Sequence, residues 1–219
     1  MPKYIQQDQP YNCGAFSIAY LLWELEHDTC PFENPDDAIA YANKIHNQTK
    51  FGDSIHEFSY PLSGVMTADY CSPIKMADYL RKCGLKPTCL MPIDPPFIAL
   101  IRSVNTHGLK PLFNFTCEDP LKALQPGQYT ISITSNTLDL TACDMLLHYI
   151  LIKKQEQKYP CPCTVYDPMN GEEKPDQIFT VGDPIAGSSW LYTGILMTIH
   201  LNPLCTQKGT AVKISGAFF

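Results

Sequence analysis

A cysteine and a glycine stand at the start of the apolar part of the segment QDQPYNCGAFSIAYLL, residues 7–22. At the first turn of a helix, a cysteine meets unpaired backbone N–H groups and the positive end of the helix dipole. Both favour the thiolate, which is the nucleophilic form. Cys13 is therefore a candidate nucleophile, with Gly14 leaving the space beside its sulfur open and the Cys13 N–H facing a developing oxyanion. The alternative is a small buried residue without chemistry.

A nucleophilic thiolate needs a base, and the base needs an orienting partner. His148 opens an apolar strand, HYILI, and Asp167 ends the next β-rich segment, TVYD. In an antiparallel hairpin the two side chains lie side by side, so that one ring nitrogen faces Asp167 and the other faces Cys13. The alternative is a strand histidine and a turn Asp-Pro that do not touch. The other histidines are expected in exposed helix ends (His27, His46), a long loop (His56), a turn (His107) and a strand (His200).

The elements that must position these residues are helical in the first half of the chain. After Cys13, apolar residues recur every three or four positions, which predicts a helix packed on a core. Asn34 followed by Pro35 is typical of a helix start, and a third helix is predicted from Ser72 to about Cys83. A shorter helix is predicted after Asp94.

The second half of the chain has the period of strands. Apolar residues alternate with Thr and Ser at 129–134, which predicts a half-buried strand, and three more β-rich runs cover 148–153, 164–167 and 194–201. Helices followed by strands predict an α+β fold with an antiparallel sheet. We expect one catalytic domain, 1–219, with a helical part at about 1–110 and a sheet part at about 111–205.

Two long polar connections, at about 47–70 and 169–189, are candidates for functional loops near a site.

Composition excludes several classes of protein. Of the 219 residues, 45% are hydrophobic and 17% are charged, which indicates a globular chain. The formal charge of −6, without a Lys/Arg cluster, predicts no nucleic-acid partner. No apolar run is long enough to span a membrane, and the N-terminus lacks the features of a secretory signal. We therefore expect a cytoplasmic protein, or one exported without a cleaved signal peptide.

The ten cysteines do not predict a metal site. Cys161 and Cys163 form the one close pair, but their C-x-C spacing is not that of a zinc site, and no histidine lies at ligand spacing. Most of the cysteines are expected to be reduced, buried and apolar in their packing. Neither a metal nor another cofactor is predicted.

The order of these motifs resembles that of the papain-like cysteine peptidases. Gln7 stands six residues before the Cys13-Gly14 pair, an apolar helix follows, and His148 and Asp167 come later on strands. The resemblance is greatest to the compact bacterial branch of peptidases that remove double-glycine leaders from bacteriocins. It covers roughly residues 7–25 and 125–168, and Tyr149 stands where that family often has a tryptophan after the histidine.

The resemblance implies a papain-like fold with the nucleophile at a helix N-terminus. It assigns the nucleophile to Cys13, the base to His148, its orienting partner to Asp167 and an oxyanion donor to Gln7. The implied activity is cleavage of a peptide or isopeptide bond in a peptide or protein substrate through an acyl-enzyme.

Two alternatives use the same residue pattern. One is a glutamine deamidase or transglutaminase-type enzyme, for example a bacterial effector that acts on a host protein. The other is a catalytically inactive papain-like module that only binds. A narrow, deep cleft favours deamidation, whereas an open groove with several subsites favours a peptidase. The sequence does not indicate the oligomeric state.

Overall fold

The computed structural model describes residues 4–26, 34–52, 68–92, 113–116, 118–138, 146–185 and 187–200. These residues have the predicted α+β class, with three helices and one seven-stranded sheet. The helices are α1 (Cys13–Glu26), α2 (Pro35–Thr49) and α3 (Pro73–Lys82). The strands are β1 (Lys86–Pro92), β2 (Phe113–Thr116), β3 (Tyr129–Ser135), β4 (Leu147–Lys154), β5 (Cys163–Asp167), β6 (Glu172–Gln177) and β7 (Leu191–His200). A 3₁₀ turn, Pro120–Ala123, precedes β3.

The second and third helices begin at the predicted capping residues. The Asn34 side chain accepts a hydrogen bond from the Asp37 N–H at 2.8 Å, and the Ser72 hydroxyl accepts from the Lys75 N–H at 3.5 Å. The short helix predicted after Asp94 lies outside the described residues. In the part of the chain that the structure describes, no helix has the length and apolar character that crossing a membrane requires.

The strands lie in the order β2-β1-β7-β3-β4-β5-β6. Neighbours are antiparallel, as predicted, except that β1 and β2 are parallel. β1 corrects the predicted helical part at about 1–110, because its residues are alternately buried and more exposed, as in a strand. β6 corrects the predicted loop at 169–189. Its sequence, EEKPDQ, is polar throughout because it forms an exposed sheet edge, so it carries no alternating signal.

Strand β3 is buried on both faces, whereas the sequence predicted a strand buried on one face only. Thr130, Ser132 and Thr134 are fully buried. The Thr130 hydroxyl donates to the Met197 carbonyl oxygen at 3.0 Å, and the Ser132 hydroxyl lies 3.5 Å from the Ile195 carbonyl oxygen. The Thr134 hydroxyl donates to the His148 carbonyl oxygen of β4 at 3.0 Å, so neighbouring strands supply acceptors for all three hydroxyls.

Apolar clusters cover both faces of the sheet. The first contains side chains from all three helices together with Tyr149, Leu151 and Tyr166 from β4 and β5. The second contains the intervening residues of β4, Ile150 and Ile152, together with the 3₁₀ turn and the segment before β7. Alternate residues of β4 thus face opposite sides. The helical layer on the first side carries Cys13 to the end of the strands.

Candidate active site

Cys13 is the first residue of α1, as the sequence predicted. Its side chain is 1% exposed. The Tyr149 backbone N–H donates to the Cys13 sulfur across 3.4 Å, and the Asn12 carbonyl oxygen accepts the Phe16 N–H at 3.1 Å. The thiol therefore meets a backbone donor from β4 at the positive end of the dipole of a 14-residue helix.

The space beside Gly14 is occupied, which corrects the expectation that it would be open. A Cβ atom at Gly14 would lie 2.7 Å from the Cys71 Cβ, 3.0 Å from the Cys71 sulfur and 3.1 Å from the Met76 sulfur. Glycine is required here because the segment before α3 presses against the first turn of α1. The glycine that follows Cys13 is therefore required by packing.

His148 lies near the start of β4 and is 2% exposed. Its Nε2 atom lies 2.7 Å from Oδ1 of Asp167, and Cys13 lies close enough for its charge to raise the pKa of the imidazole. Because Nε2 is used by Asp167, Nδ1 is the ring nitrogen left for Cys13. The predicted contact of His148 with Asp167 is confirmed, and the Cys13 thiol lies beside this pair.

Charge at this site favours the imidazolium. Burial lowers the pKa of His148, but the negative charge of Cys13 and the hydrogen bond to Asp167 outweigh it and raise that pKa to about 9. Burial opposes ionisation of Asp167, but the hydrogen bond from His148, the imidazolium charge and the Met169 N–H at 2.9 Å hold the pKa of its carboxyl below the usual value. The raised pKa of His148 and the lowered pKa of Asp167 therefore favour an imidazolium and a carboxylate in contact, beside the Cys13 sulfur.

Trp190 covers His148, and sequence reasoning missed it. The two rings lie 5.0 Å apart between centroids, with 32° between their planes. The tryptophan comes from the residue just before β7 and not from the position after the histidine. That position is Tyr149, whose hydroxyl donates to the Cys71 carbonyl oxygen at 3.0 Å. The only sequence signal for Trp190 was its rarity, since the chain has two tryptophans.

Gln7 lies in a segment that is fastened near the site, but it does not bond to Cys13. Its backbone N–H donates to the Pro168 carbonyl oxygen at 2.8 Å, next to Asp167. Its side-chain nitrogen donates to the Gln9 carbonyl oxygen at 2.8 Å, and its side-chain oxygen is buried without a partner among the described residues. One hydrogen of the Gln7 amide group thus remains for another acceptor.

The segment before α1 is held from both sides. The Tyr20 hydroxyl of α1 donates to the Ile5 carbonyl oxygen. Gly171 follows β5 with φ of 66°, and a Cβ there would lie 2.6 Å from the backbone of this segment. Glycine is required at this turn both for its backbone conformation and for the close approach. These contacts fix the path that carries Gln7 toward the start of α1.

A ring of polar side chains around Asn12 was also missed. The Asn12 amide group donates to Asp8 at 2.7 Å and to Asn43 at 3.1 Å, and Asn43 donates to the second oxygen of Asp8 at 2.9 Å. The ring links the segment before α1, the residue before Cys13 and α2. Each of its members is an ordinary polar residue in the sequence, and only the packing of α2 on α1 brings them together.

The remaining histidines do not join this site where the structure describes them. His46 is buried and not exposed as expected, because its Nε2 lies 2.6 Å from the Asp69 carbonyl oxygen. The backbone of His200 is in β7, as expected. His27, His56 and His107 lie outside the described residues, as does most of the predicted loop at 47–70.

The described cysteines are free thiols. They are Cys13, Cys71, Cys83, Cys89, Cys161 and Cys163. The sulfurs of Cys161 and Cys163 lie 3.7 Å apart in the second apolar cluster. Across the seven described ranges, no group of three His, Cys, Asp or Glu side chains has the arrangement of a metal site.

No protein-family model matches the chain, and no curated protein or solved structure is detectably similar to it. The functional interpretation therefore depends on the geometry around Cys13. A thiol at a helix start, an imidazole beside it and a carboxylate bonded to the imidazole are the components of nucleophilic catalysis at a carbonyl group.

Proposed function

We propose that this chain is a papain-like cysteine hydrolase that cleaves a peptide or isopeptide bond through an acyl-enzyme. The observation that carries the proposal is the buried hydrogen bond of 2.7 Å between Nε2 of His148 and Oδ1 of Asp167, beside the Cys13 thiol. Cys13 is the nucleophile, His148 transfers the proton, and Asp167 orients the imidazole.

In the acylation step, the Cys13 thiolate attacks the carbonyl carbon and forms a tetrahedral intermediate. The Cys13 N–H stabilises its oxyanion, because an amide at the first helical position has no partner within the helix. The free hydrogen of the Gln7 amide is the second donor. The intermediate collapses as the C–N bond breaks, and His148 gives its proton to the leaving amine, which leaves a thioester on Cys13.

In the deacylation step, neutral His148 accepts a proton from water while the water oxygen attacks the thioester carbonyl. The second tetrahedral intermediate releases the carboxylic acid, and the proton on His148 balances the charge of the Cys13 thiolate. The enzyme thus returns to the imidazolium–thiolate pair, which the raised pKa of His148 favours.

A second candidate is a deamidase or acyltransferase that attacks a glutamine side chain. The burial of Cys13 and His148, with Trp190 over the imidazole, favours a substrate group thin enough to reach a nearly enclosed sulfur. The acyl-enzyme chemistry is the same until the leaving group, which is ammonia. Release of ammonia without a new peptide N-terminus distinguishes this candidate from a peptidase.

The proposal is tested by the rate at which iodoacetamide labels Cys13 between pH 5 and pH 10, with peptide mapping by mass spectrometry to locate the label. We expect rapid labelling of Cys13 alone at pH 5–6, and loss of this low-pH reactivity in His148→Ala, because the imidazolium stabilises the thiolate. His46→Ala is the matched control, since it removes another buried histidine, and it should keep the wild-type profile.

The opposite result would be labelling of Cys13 that rises only near pH 8–9, no faster than that of the other cysteines. The chain would then be a binding module with an ordinary thiol, and the enzyme proposal would be wrong.

A further inference from the structure

A closed ring of three hydrogen bonds joins Asp8, Asn12 and Asn43. The Asn12 amide group uses both of its hydrogens in the ring, one toward Oδ1 of Asp8 at 2.7 Å and one toward Oδ1 of Asn43 at 3.1 Å. The Asn43 amide group closes the ring on Oδ2 of Asp8 at 2.9 Å. Each side chain therefore contacts both of the others, and none can move without breaking two hydrogen bonds.

The ring lies between the two groups that the proposed function assigns to the oxyanion. Asp8 directly follows Gln7 in the chain. Asn12 directly precedes Cys13, the first residue of α1, so the bond between Asp8 and Asn12 closes the connecting segment into a loop. Gln7 is held on its other side, where its backbone N–H donates to the Pro168 carbonyl oxygen at 2.8 Å. The ring is thus one of two anchors that set the position of Gln7 relative to α1.

Asn43 ties this loop to the body of the protein. It lies in the middle of α2, and the neighbouring Ala42 and Ile45 are completely buried in the first apolar cluster. Their packing holds the backbone at Asn43, while its half-buried side chain reaches the loop before α1. Residues 7–12 form neither a helix nor a strand, so side-chain hydrogen bonds such as these determine their path.

Asn12 does not take the usual role of an asparagine before a helix. In that role, its side-chain oxygen would accept an N–H group of the first turn. The Asn12 side chain is fully buried, and its oxygen has no partner among the described residues. A buried acceptor without a partner costs stability, and departures of this kind are typical of functional sites. The orientation of Asn12 therefore serves the ring and not the helix.

We propose that Asn43 is a positioning residue for the oxyanion site: through the ring with Asp8 and Asn12, it holds the Gln7 amide where it donates to the substrate oxyanion. The inference rests on the proposed function, in which the Gln7 amide and the Cys13 N–H are the two donors. It assigns a role to a residue on a different helix from the nucleophile.

The test measures the affinity of a peptide aldehyde for Cys13 in wild type and Asn43→Ala, by inhibition of iodoacetamide labelling. The thiolate forms a tetrahedral adduct with the aldehyde, whose oxyanion uses both donors, whereas alkylation by iodoacetamide forms no oxyanion. We expect Asn43→Ala to bind the aldehyde about tenfold more weakly, the effect of one lost hydrogen bond. Its labelling rate should stay within about twofold of wild type, since the thiol itself is unchanged. A role in folding alone would not separate these two readouts.

Exchanging the acid and the amide tests the ring itself. In Asp8→Asn two amide N–H groups face each other, and in Asn43→Asp two carboxylate oxygens do, so each single variant loses the bond of 2.9 Å. Both should bind the aldehyde about tenfold more weakly than wild type. The double variant Asp8→Asn/Asn43→Asp restores a donor and an acceptor and keeps the net charge. It should recover the wild-type affinity within about twofold.

Asn47→Ala is the matched control, because it removes an exposed asparagine one turn further along α2. It should bind the aldehyde as wild type does. A folded Asn43→Ala with wild-type affinity would overturn the role of Asn43, and so would a double variant that binds no better than the single variants. If Asn43→Ala does not fold, the exchange decides: recovery in the double variant supports the role, and no recovery overturns it.

The route through Gln7 has its own test. Because the ring acts on the oxyanion through the Gln7 amide, adding Asn43→Ala to Gln7→Ala should weaken aldehyde binding no further. A further tenfold loss in that double variant would overturn this route.

The wild-type protein separates this inference from the proposed function. If wild type does not bind the aldehyde and Cys13 is labelled as an ordinary thiol, both are wrong. If wild type binds the aldehyde and Asn43→Ala binds it equally well, only the role of Asn43 is wrong.

Discussion

His148 and Asp167 make their 2.7 Å hydrogen bond beyond the end of the ladder that joins their strands. The last paired residues of β4 and β5 are Leu151 and Tyr166, so the imidazole and the carboxylate meet where the two strands stop exchanging backbone hydrogen bonds. The ladder behind them fixes their separation. The pair is therefore positioned by strand register.

Because of this register, the distance between His148 and Asp167 depends on how β4 and β5 pair in the sheet. A slip of one residue would move every side chain of β5 to the opposite face and separate Asp167 from His148. Tyr166 prevents such a slip, because it is buried in the first cluster, where its ring lies 4.7 Å from that of Tyr4. The core thus holds the relative position of His148 and Asp167.

The raised pKa of His148 predicts how stability depends on pH. The folded value of about 9 lies above the ordinary 6.5, so the imidazolium stabilises the fold fully below pH 6.5, and this stabilisation is lost as pH rises through 9. We expect the melting temperature of His148→Gln to lie about 4 °C or more further below wild type at pH 6 than at pH 10. Calorimetry of both proteins across this range measures the difference.

Tyr149→Phe is the control for this prediction. It removes a buried hydrogen bond next to His148, but the pKa of Tyr149 is raised by burial, so its hydroxyl stays neutral over the range. Its cost of about 1 kcal/mol should be the same at both pH values. If the melting temperature of His148→Gln lies equally far below that of wild type at pH 6 and at pH 10, the prediction of a charged imidazole is wrong.

Gln7→Ala should weaken the binding of an oxyanion and leave the nucleophilicity of Cys13 unchanged. Alkylation by iodoacetamide forms no oxyanion, so the labelling rate of Cys13 should not change. A peptide aldehyde forms a tetrahedral adduct with the thiol, and its affinity should fall by about 10²–10³-fold when one of the two donors is lost. The measurement is the inhibition constant of the aldehyde against the labelling reaction.

Gln9→Ala is the control for Gln7→Ala. It removes a neighbouring exposed side chain but keeps the backbone carbonyl that holds the Gln7 amide. The aldehyde should inhibit this variant as it inhibits wild type. If Gln7→Ala also binds the aldehyde normally, the second oxyanion donor is another group.

Local signals predicted the parts of the site that lie on single elements. The start of α1 at Cys13 followed from apolar periodicity, and the contact of His148 with Asp167 followed from two adjacent strands of known length joined as a hairpin. In both cases, residues close in sequence decide the geometry. The amino-acid sequence alone is therefore sufficient to predict these two features.

Other parts depend on elements that are distant in the chain, and these were missed. Trp190 reaches His148 from the start of β7, which lies two strands away in the sheet. Cys71 reaches α1 from the segment before α3, and β6 is an edge strand without an apolar face. No periodicity records such contacts, because each residue has an ordinary local pattern and its role comes from the tertiary arrangement.

Trp190→Ala should weaken the pair of His148 and Asp167 without removing either residue. The indole lies over the imidazole, and its loss admits water, which screens the attraction of His148 for Asp167 and for the thiolate. We expect labelling of Cys13 at pH 6 to slow by about 3- to 10-fold, in line with the energy of an aromatic pair. Trp190→Phe keeps an aromatic ring and should retain most of the rate. An unchanged rate in Trp190→Ala would show that the indole does not protect the pair.

Gly14→Ala and Ser17→Ala should have opposite effects, although both place alanine in α1. In an open helix, glycine to alanine adds about 1 kcal/mol of stability. At Gly14 the added Cβ would lie 2.7 Å from the Cys71 Cβ, so we expect a net loss of about 1–3 kcal/mol instead. Ser17 is fully buried, and its hydroxyl has no hydrogen-bond partner in the described residues, so Ser17→Ala should be neutral or stabilising.

Urea unfolding of the two variants and wild type measures both effects under the same conditions. A Gly14→Ala protein more stable than wild type would mean that Cys71 does not press against the first turn of α1. In that case the requirement for glycine after Cys13 would have to come from the substrate side of the helix, and labelling of Cys13 in Gly14→Ala would be normal while binding of the peptide aldehyde would be weakened.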